Sequence, residues 1–248
     1  MDSPSDSTSS SLPQLVLTLF GLYARDEGNW LSIGSIVELV GTLGFEHQVV
    51  RSAVSRLKLR GVILSERRDG TAGYALAPAT LEVLKEGDAR IFESVRGTVE
   101  SGWVLVAFSV PESEREKRHA LRTTLMRLGF GVATPGVWIA PAHLAHETKT
   151  TLESRGLDEF VDLFTATYES SRDLKAEVAT WWDLDDLAAL YQSFLQRYRD
   201  TPIFDTDEAE AFRHYVSLLT EWRRLPYRDP GLPLALLPDS WKGEEATT

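Results

Sequence analysis

The side chains best suited to grip a partner are gathered in one short run, His47 to Ile63, which reads HQVVRSAVSRLKLRGVI. It holds Arg51, Arg56, Lys58 and Arg60 and no carboxylate, in a chain with 26 Lys and Arg against 37 Asp and Glu and a formal charge of -11. Arg67 and Arg68 follow, and Glu66 is the one acid between positions 51 and 68. Cations concentrated on an otherwise acidic body attract a polyanion to one face while the rest of the molecule repels it. A solvated helix face is the bland alternative for such a run.

At about 100° per residue, Val49, Val50, Ala53, Val54 and Leu57 fall on one arc of a helix. That arc is expected to face the protein core. The opposite arc carries Gln48, Arg51, Ser52, Ser55 and Leu59, with Lys58 near Arg51 and with Arg56 and Arg60 on the other flank. A polar strip of small and amide side chains between two basic edges suits the major groove of DNA. Gln pairs with adenine and Arg with guanine, while flanking cations reach the phosphate walls. Gln48, Arg51, Ser52 and Ser55 are therefore the candidate base readers. Arg56 and Lys58 are candidate phosphate contacts, and Arg67 and Arg68 would add phosphate or minor-groove contacts. Arg60, near the negative helix end, has a stabilising role open to it. Leu59 is expected to pack on a neighbouring domain or a second copy.

The elements that must position this helix lie around it. Leu12–Asp26 and Ile33–Leu43 have helical apolar spacing, and the basic helix itself spans roughly Glu46–Arg60, closed by Gly61. Glu46 stands where Ser, Thr, Asp or Asn is the usual cap. VILSERRDGTAGYALAP then reads as two strands around a turn at Asp69–Gly73. This order, over residues 12–78, is that of a winged helix-turn-helix.

Beyond it, Ala79–Ser94 is an amphipathic segment within a linker over residues 79–100. WVLVAFSV, from Trp103, has the continuous apolar pattern of a buried strand. Glu112–Leu128 is a helix with Leu121, Leu125 and Leu128 on its apolar side. Two short strands follow, then a helix over Leu144–Arg155 and the strand FVDLFTATYE. The order β-α-β-β-α-β predicts a ferredoxin-like sandwich over residues 101–172. Helices over Leu174–Arg199 and Asp207–Arg224, then a proline-rich ending, make a helical segment over residues 173–248. The fold class is α+β.

Composition narrows the classes. With 43% hydrophobic and 10% aromatic residues the chain has material for packed cores. No apolar run approaches the length of a membrane span, so no membrane partner is expected. Residues 1–11 are Ser-rich and acidic, read as a disordered tail rather than a signal peptide. The absence of cysteine excludes disulfides and thiolate metal sites, and a cytoplasmic protein fits best.

Three stretches resemble the PaaX family of bacterial transcriptional repressors: VRSAVSRLKLRGVILSERRDG, WVLVAFSVPESEREKRHALRTTLMRLGFGVATPGVWIAP and WRRLPYRDPGLPLALLPDSWKG. Their succession is more specific than a helix-turn-helix alone, and it spans nearly the whole chain after the tail. The resemblance implies a dimeric repressor of aromatic, phenylacetate-type catabolism. It also implies release from a double-stranded operator by an aryl-acyl-CoA effector such as phenylacetyl-CoA, with no cofactor and no enzymatic activity.

The matching ending places Trp222, Arg223, Arg224, Tyr227 and Arg228 close together. A CoA ester needs cations for its phosphates and an apolar slot for its acyl group, so these residues are candidate effector contacts. A clamp of fixed proline geometry is the alternative for the same segment.

The middle segment is also similar to small CRISPR-associated nucleases of ferredoxin-like fold, which need an acid at the end of the first strand. Here that end reads Ser109, Val110 and Pro111, with Glu112 opening the next helix. HLAHE puts His143, His146 and Glu147 on one helical turn, for which a solvated helix start is the expected reading over a metal site. An acyl-CoA-binding or metal-dependent nucleotide-processing enzyme carrying a winged helix is the alternative from another class. A protein-binding winged helix is a third.

Overall fold

A computed structural model describes residues 11–25, 27–93, 95–200 and 207–247. The reading of the first residues as a disordered tail lies outside them, as does Ser94. The chain divides into two compact units. The first comprises residues 1–89 and 197–223, the second residues 90–196 and 224–248.

In the first unit, α1 (Leu12–Leu19) continues into a π-helical turn over Phe20–Ala24. Gln14 Oε1 accepts from the Ser11 N–H at 3.2 Å, satisfying a helix-start donor. The expected long first helix thus changes winding at Phe20, whose ring is fully buried. Next come β1 (Trp30–Ser32), α2 (Ile33–Thr42) and α3 (His47–Leu59). Ser32 ends the strand and caps α2, its hydroxyl accepting from the Ser35 N–H at 2.9 Å.

The hairpin β2 (Ile63–Arg68) and β3 (Thr71–Leu76) follows. Its turn is tighter than expected. Asp69 and Gly70 alone form it, at φ 48° and 77°, so Thr71, Ala72 and Gly73 belong to the strand. Two positive φ values in a two-residue loop match the twist of the flanking strands. β1 pairs antiparallel with β3, giving the order β1-β3-β2. Gly73 is required there: a Cβ would stand 2.3 Å from the Trp30 ring.

The α9 helix (Glu208–Trp222) completes this core from far along the chain. Its Val216 is buried with Val16, Leu19, Ile36, Val50 and Val54. Thr220 Oγ1 donates to Thr18 Oγ1 at 2.8 Å inside the contact.

The second unit is built on a four-stranded antiparallel sheet. Its strands are β4 (Trp103–Phe108), β5 (Gly131–Thr134), β6 (Val137–Pro141) and β7 (Val161–Ala166), in the order β5-β6-β4-β7. The chain enters this unit within α4 (Pro78–Phe92). The α5 (Arg115–Arg127) and α6 (Ala145–Ser154) helices connect the strands. Each is preceded by a short 3-10 turn, Glu112–Glu114 and Ala142–Leu144, so α5 begins three residues and α6 one residue later than expected.

Strand alternation gives the sheet two apolar faces. Val104, Val106, Trp138 and Ala140 pack with Leu121, Leu125 and Leu152. Trp103 and Ile139 turn to the other face, where they meet Val178, Leu184, Leu232 and Leu236. Those last four residues come from α7 (Leu174–Trp181), α8 (Leu184–Tyr198) and the proline-rich ending, which closes on α10 (Gly243–Thr247).

One continuous helix was expected over Leu174–Arg199, but two form. Trp182 leaves the helix for extended backbone, φ -126° and ψ 147°, and its indole N–H donates to the Gly129 carbonyl at 2.9 Å. Asp183 then accepts from the Asp186 N–H at 2.9 Å and restarts the helix. The tertiary anchor of the indole overrides local helical periodicity.

Candidate nucleic-acid interface

The α3 helix is held by Val50, Ala53, Val54 and Leu57, all nearly or fully buried. Val49 departs from the expected apolar arc: it is 44% exposed. The arc is therefore narrower by one residue, and the outward strip is correspondingly wider. Gln48, Arg51, Ser52, Ser55, Arg56, Lys58, Leu59 and Arg60 are all exposed, with Leu59 reaching 83%.

None of Arg51, Arg56, Lys58 or Arg60 has a side-chain hydrogen bond or ion pair among the described residues. Ser52 donates to the Gln48 carbonyl at 2.9 Å, which keeps its hydroxyl low on the helix surface. Glu46 caps the helix by position only, with no side-chain hydrogen bond. A groove beside the helix start is lined by Glu38, Glu46, His47 and Arg51. Its two carboxylates disfavour a phosphate at that end.

The hairpin cations separate. Arg67 is exposed, and its guanidinium donates to the Gly70 carbonyl at 2.9 Å across the turn. Arg68 is committed to the fold. It pairs with Glu66 at 2.6 Å, donates to the Gly28 carbonyl at 2.8 Å and stacks 5.5 Å above the Trp30 ring. The two neighbours in sequence point to opposite sides of the strand, as period-two alternation requires, and only Arg67 presents its charge outward.

The candidate effector residues are divided between the two units. Trp222 and Arg223 belong to the first unit, and Arg224, Tyr227 and Arg228 to the second. Arg223 donates to the Gln14 carbonyl at 3.0 Å. Arg228 pairs with Asp186 at 2.5 Å, and the Tyr227 ring lies 5.7 Å from the Arg90 guanidinium.

The residue that organises this ending is one the sequence reading passed over. Asp229 accepts from Arg96 at 2.7 Å, from the Tyr191 hydroxyl at 2.8 Å and from the Gly231 N–H at 2.9 Å. Arg96 also donates to the Leu232 carbonyl at 3.2 Å and stacks on Trp241 at 5.4 Å. Burial, then the charge of Asp229, pushes the Tyr191 hydroxyl far above its ordinary value, so it remains a donor. The Arg-Asp-Pro-Gly run was the available signal, since an acid between an exposed cation and a rigid turn is placed to face inward.

His143 and His146 also part company. His146 is exposed, whereas His143 is half-buried with Nδ1 unpartnered among the described residues. The expectation of a solvated helix start fails for His143, because the 3-10 turn at Ala142–Leu144 rotates it inward. Burial, then the Arg90 charge, holds its imidazole below the ordinary range. At the end of β4, Ser109 donates its N–H to the Phe160 carbonyl at 3.1 Å, and Glu112 is paired with Arg118 at 2.8 Å.

Comparison with known proteins places these parts in a lineage. A family model described as PaaX-like protein matches residues 11–80. Models for the PaaX protein central Cas2-like domain and the PaaX-like protein C-terminal domain match residues 96–178 and 182–248. The chain belongs to the PaaX family. The PaaX-family match over residues 11–80 contains all of α3 and the hairpin. The transcriptional repressor PaaX of Escherichia coli (strain K12) is 26% identical over 241 residues, which cover 94% of this chain and 76% of that protein. The uncharacterized protein Rv0674 from Mycobacterium tuberculosis shares the fold, with a TM-score of 0.64 at 23% identity over 95% of this chain and 92% of that one.

Proposed function

We propose that this PaaX-family protein is a DNA-binding transcriptional repressor. The observation that carries the reading is the exposed face of α3, where four cations with no side-chain partner among the described residues flank Gln48, Ser52 and Ser55. In this reading the helix–helix–hairpin region is a winged helix-turn-helix, with α3 in the major groove and Arg67 on a phosphate. Arg51 and the polar strip read bases, and Arg56 and Lys58 fix register on the backbone. In the same reading the second unit is a ferredoxin-like sandwich, supported by the strand order β5-β6-β4-β7 with its two connecting helices. A cytoplasmic homodimer binds a palindromic operator, with exposed Leu59 available to a second copy.

The effector is proposed to be an aryl-acyl-CoA, in keeping with aromatic catabolism. It must bind the form with the wrong half-site spacing more tightly than the DNA-bound form. Arg223 and Arg228 have protein partners, so a role for them in holding CoA phosphates requires those pairs to be exchanged on binding. A clamp is the reading their contacts favour.

A gel shift on DNA upstream of the protein's own coding sequence tests the proposal. Retention that weakens steeply with salt and disappears on adding phenylacetyl-CoA supports it. Absence of sequence-specific retention rejects the repressor. Retention insensitive to every aryl-acyl thioester rejects the effector alone. The alternative, an acyl-CoA-processing or metal-dependent nucleotide-processing enzyme, would reveal itself by turnover of the thioester or of RNA.

A further inference from the structure

A second helix of the molecule is richer in cations than α3. The 13 residues of α5 read REKRHALRTTLMR, with five Lys and Arg and Glu116 as the one acid, whereas the 13 residues of α3 hold three cations. The surrounding unit is acidic. Outside α5, residues 90–196 and 224–248 carry nine Lys and Arg against 19 Asp and Glu. A basic patch kept on an acidic body is the electrostatic footprint of a polyanion contact.

The fold uses two of the five cations. Arg118 pairs with Glu112 at 2.8 Å and donates to the Val110 carbonyl at 2.8 Å, and Lys117 donates to the Gly156 carbonyl at 3.3 Å. Arg115, Arg122 and Arg127 are exposed and have no side-chain hydrogen bond or ion pair among the described residues. Their helix is firmly seated. Leu121 and Leu125 are fully buried. Arg155 donates to Thr124 Oγ1 at 3.1 Å, and Arg90 holds the carbonyls of Arg127 and Leu128.

At about 100° per residue, Arg115 and Arg122 lie within about 20° of each other, with His119 and Met126 alongside, and all four are exposed. Arg127 lies about 120° away from Arg115, at the negative helix end, where its charge stabilises the helix. A solvated helix face usually carries opposite charges three or four residues apart. Within α5 no carboxylate stands at either spacing from Arg115 or Arg122. Glu112, three residues before Arg115, is taken by Arg118.

The spacing suits a phosphate backbone. Two helical turns set Arg115 and Arg122 about 10 Å apart, which is the axial advance of about three phosphates on one strand of duplex DNA. A guanidinium forks onto a phosphate through two N–H donors. A bound peptide needs a groove for its side chains as well as charge. Neither the groove at the start of α3 nor the cleft between the sheet and α7 is lined by a residue of α5.

We infer that Arg115 and Arg122 grip the phosphate backbone of duplex DNA, a second, sequence-independent contact apart from α3. The choice of DNA as partner rests on the repressor reading; the contact itself needs no sequence that α3 recognises.

The test is fluorescence anisotropy on the full chain with two duplexes of equal length, one from upstream of the coding sequence and one of shuffled sequence, between about 50 and 200 mM salt. The combined variant Arg115→Gln, Arg122→Gln should weaken both duplexes by the same factor, roughly tenfold or more at about 100 mM salt, and lower the log–log salt slope by about 1.8, two contacts at about 0.9 each. Its preference for the upstream duplex should stay that of wild type. The combined variant Arg115→Lys, Arg122→Lys keeps the charge and should retain most of the affinity. Thermal unfolding of both variants should match wild type, since neither side chain supports the fold.

The inference is overturned if the Gln variant binds both duplexes with wild-type affinity and slope, or if the Lys variant binds as weakly as the Gln variant. It is also overturned if polyglutamate displaces the shuffled duplex as effectively as unlabelled duplex does, a result that assigns the stripe to an acidic protein segment. The two readings separate cleanly. Equal wild-type affinity for the two duplexes removes operator recognition by α3, and a Gln variant that weakens both still upholds the α5 contact. A preference for the upstream duplex with an unaffected Gln variant upholds the repressor and removes the α5 contact.

Discussion

The cations of α3 and those beside the sheet of the second unit carry the same charge in opposite circumstances. Arg51, Arg56 and Lys58 are exposed and have no side-chain partner among the described residues. Arg90 and Arg96 are largely buried and fully occupied. Arg90 donates to the Arg127 and Leu128 carbonyls at 3.1 and 2.8 Å, satisfying the end of α5, and lies over Tyr227. Arg96 is locked to Asp229. A partnered guanidinium is already spent within the fold, and an unpartnered one on a rigid helix is available to an external anion. Arg67 and Arg68 differ in degree across a single peptide bond: Arg67 is exposed with one donor on the Gly70 carbonyl, and Arg68 is held by Glu66 and Gly28.

Asp229→Ala breaks the occupied class and should have the largest effect. It leaves Arg96 as an unpaired charge and Tyr191 without its acceptor. Loss of one partner of a buried pair costs about 3–5 kcal/mol, which denaturant unfolding would register as a large fall in midpoint. Arg51→Ala should do the reverse. Its unfolding midpoint should stay within about 0.5 kcal/mol of wild type, while operator affinity falls by about 1–3 kcal/mol and sequence preference relaxes. A stability loss for Arg51→Ala with DNA affinity intact would invert the comparison.

The hairpin pair sharpens it further. Arg68→Ala removes the brace on Gly28 and Trp30 and is expected to cost about 1 kcal/mol of stability. Arg67→Ala should leave stability unchanged and weaken all DNA sequences alike, reducing the salt slope by about 1. Unfolding and anisotropy measured on both variants decide between these assignments.

The smallest effect concerns pH. The folded imidazole of His143 is held below its ordinary value, so the unfolded chain binds the proton more readily. The stability that its neutral form contributes is complete above the ordinary histidine range. It declines as pH falls through that range toward the depressed folded value. His143→Gln should flatten this part of the stability–pH curve; an unchanged curve would place the acid sensitivity elsewhere.

Sequence periodicity was sufficient where structure is local. The buried side of α3, the hairpin and the succession of strands and helices in the second unit follow from apolar spacing and turn residues. Val49 escaped because a wheel reports angle but not how far the neighbouring helices extend. The three-residue strand Trp30–Ser32 was missed because it exists only through pairing with β3, more than forty positions away. The same holds for Asp229, whose partner Arg96 is 133 residues distant, and for the helix break imposed by Trp182. For the candidate site, the exposed face was legible from α3 alone. The commitment of Arg68 was not, because Gly28 and Trp30 reach it through the tertiary fold.

The central claim is that the unpartnered face of α3 binds DNA. Fluorescence anisotropy of a duplex from upstream of the coding sequence, titrated between 50 and 200 mM salt, tests it most directly when wild type is compared with the combined variant Arg51→Ala, Arg56→Ala, Lys58→Ala. The account predicts a linear fall of log affinity with log salt for wild type, with a slope reduced by about 0.9 for each phosphate contact removed in a folded variant. A wild-type affinity that ignores salt, or a variant that binds the duplex like wild type, would contradict it.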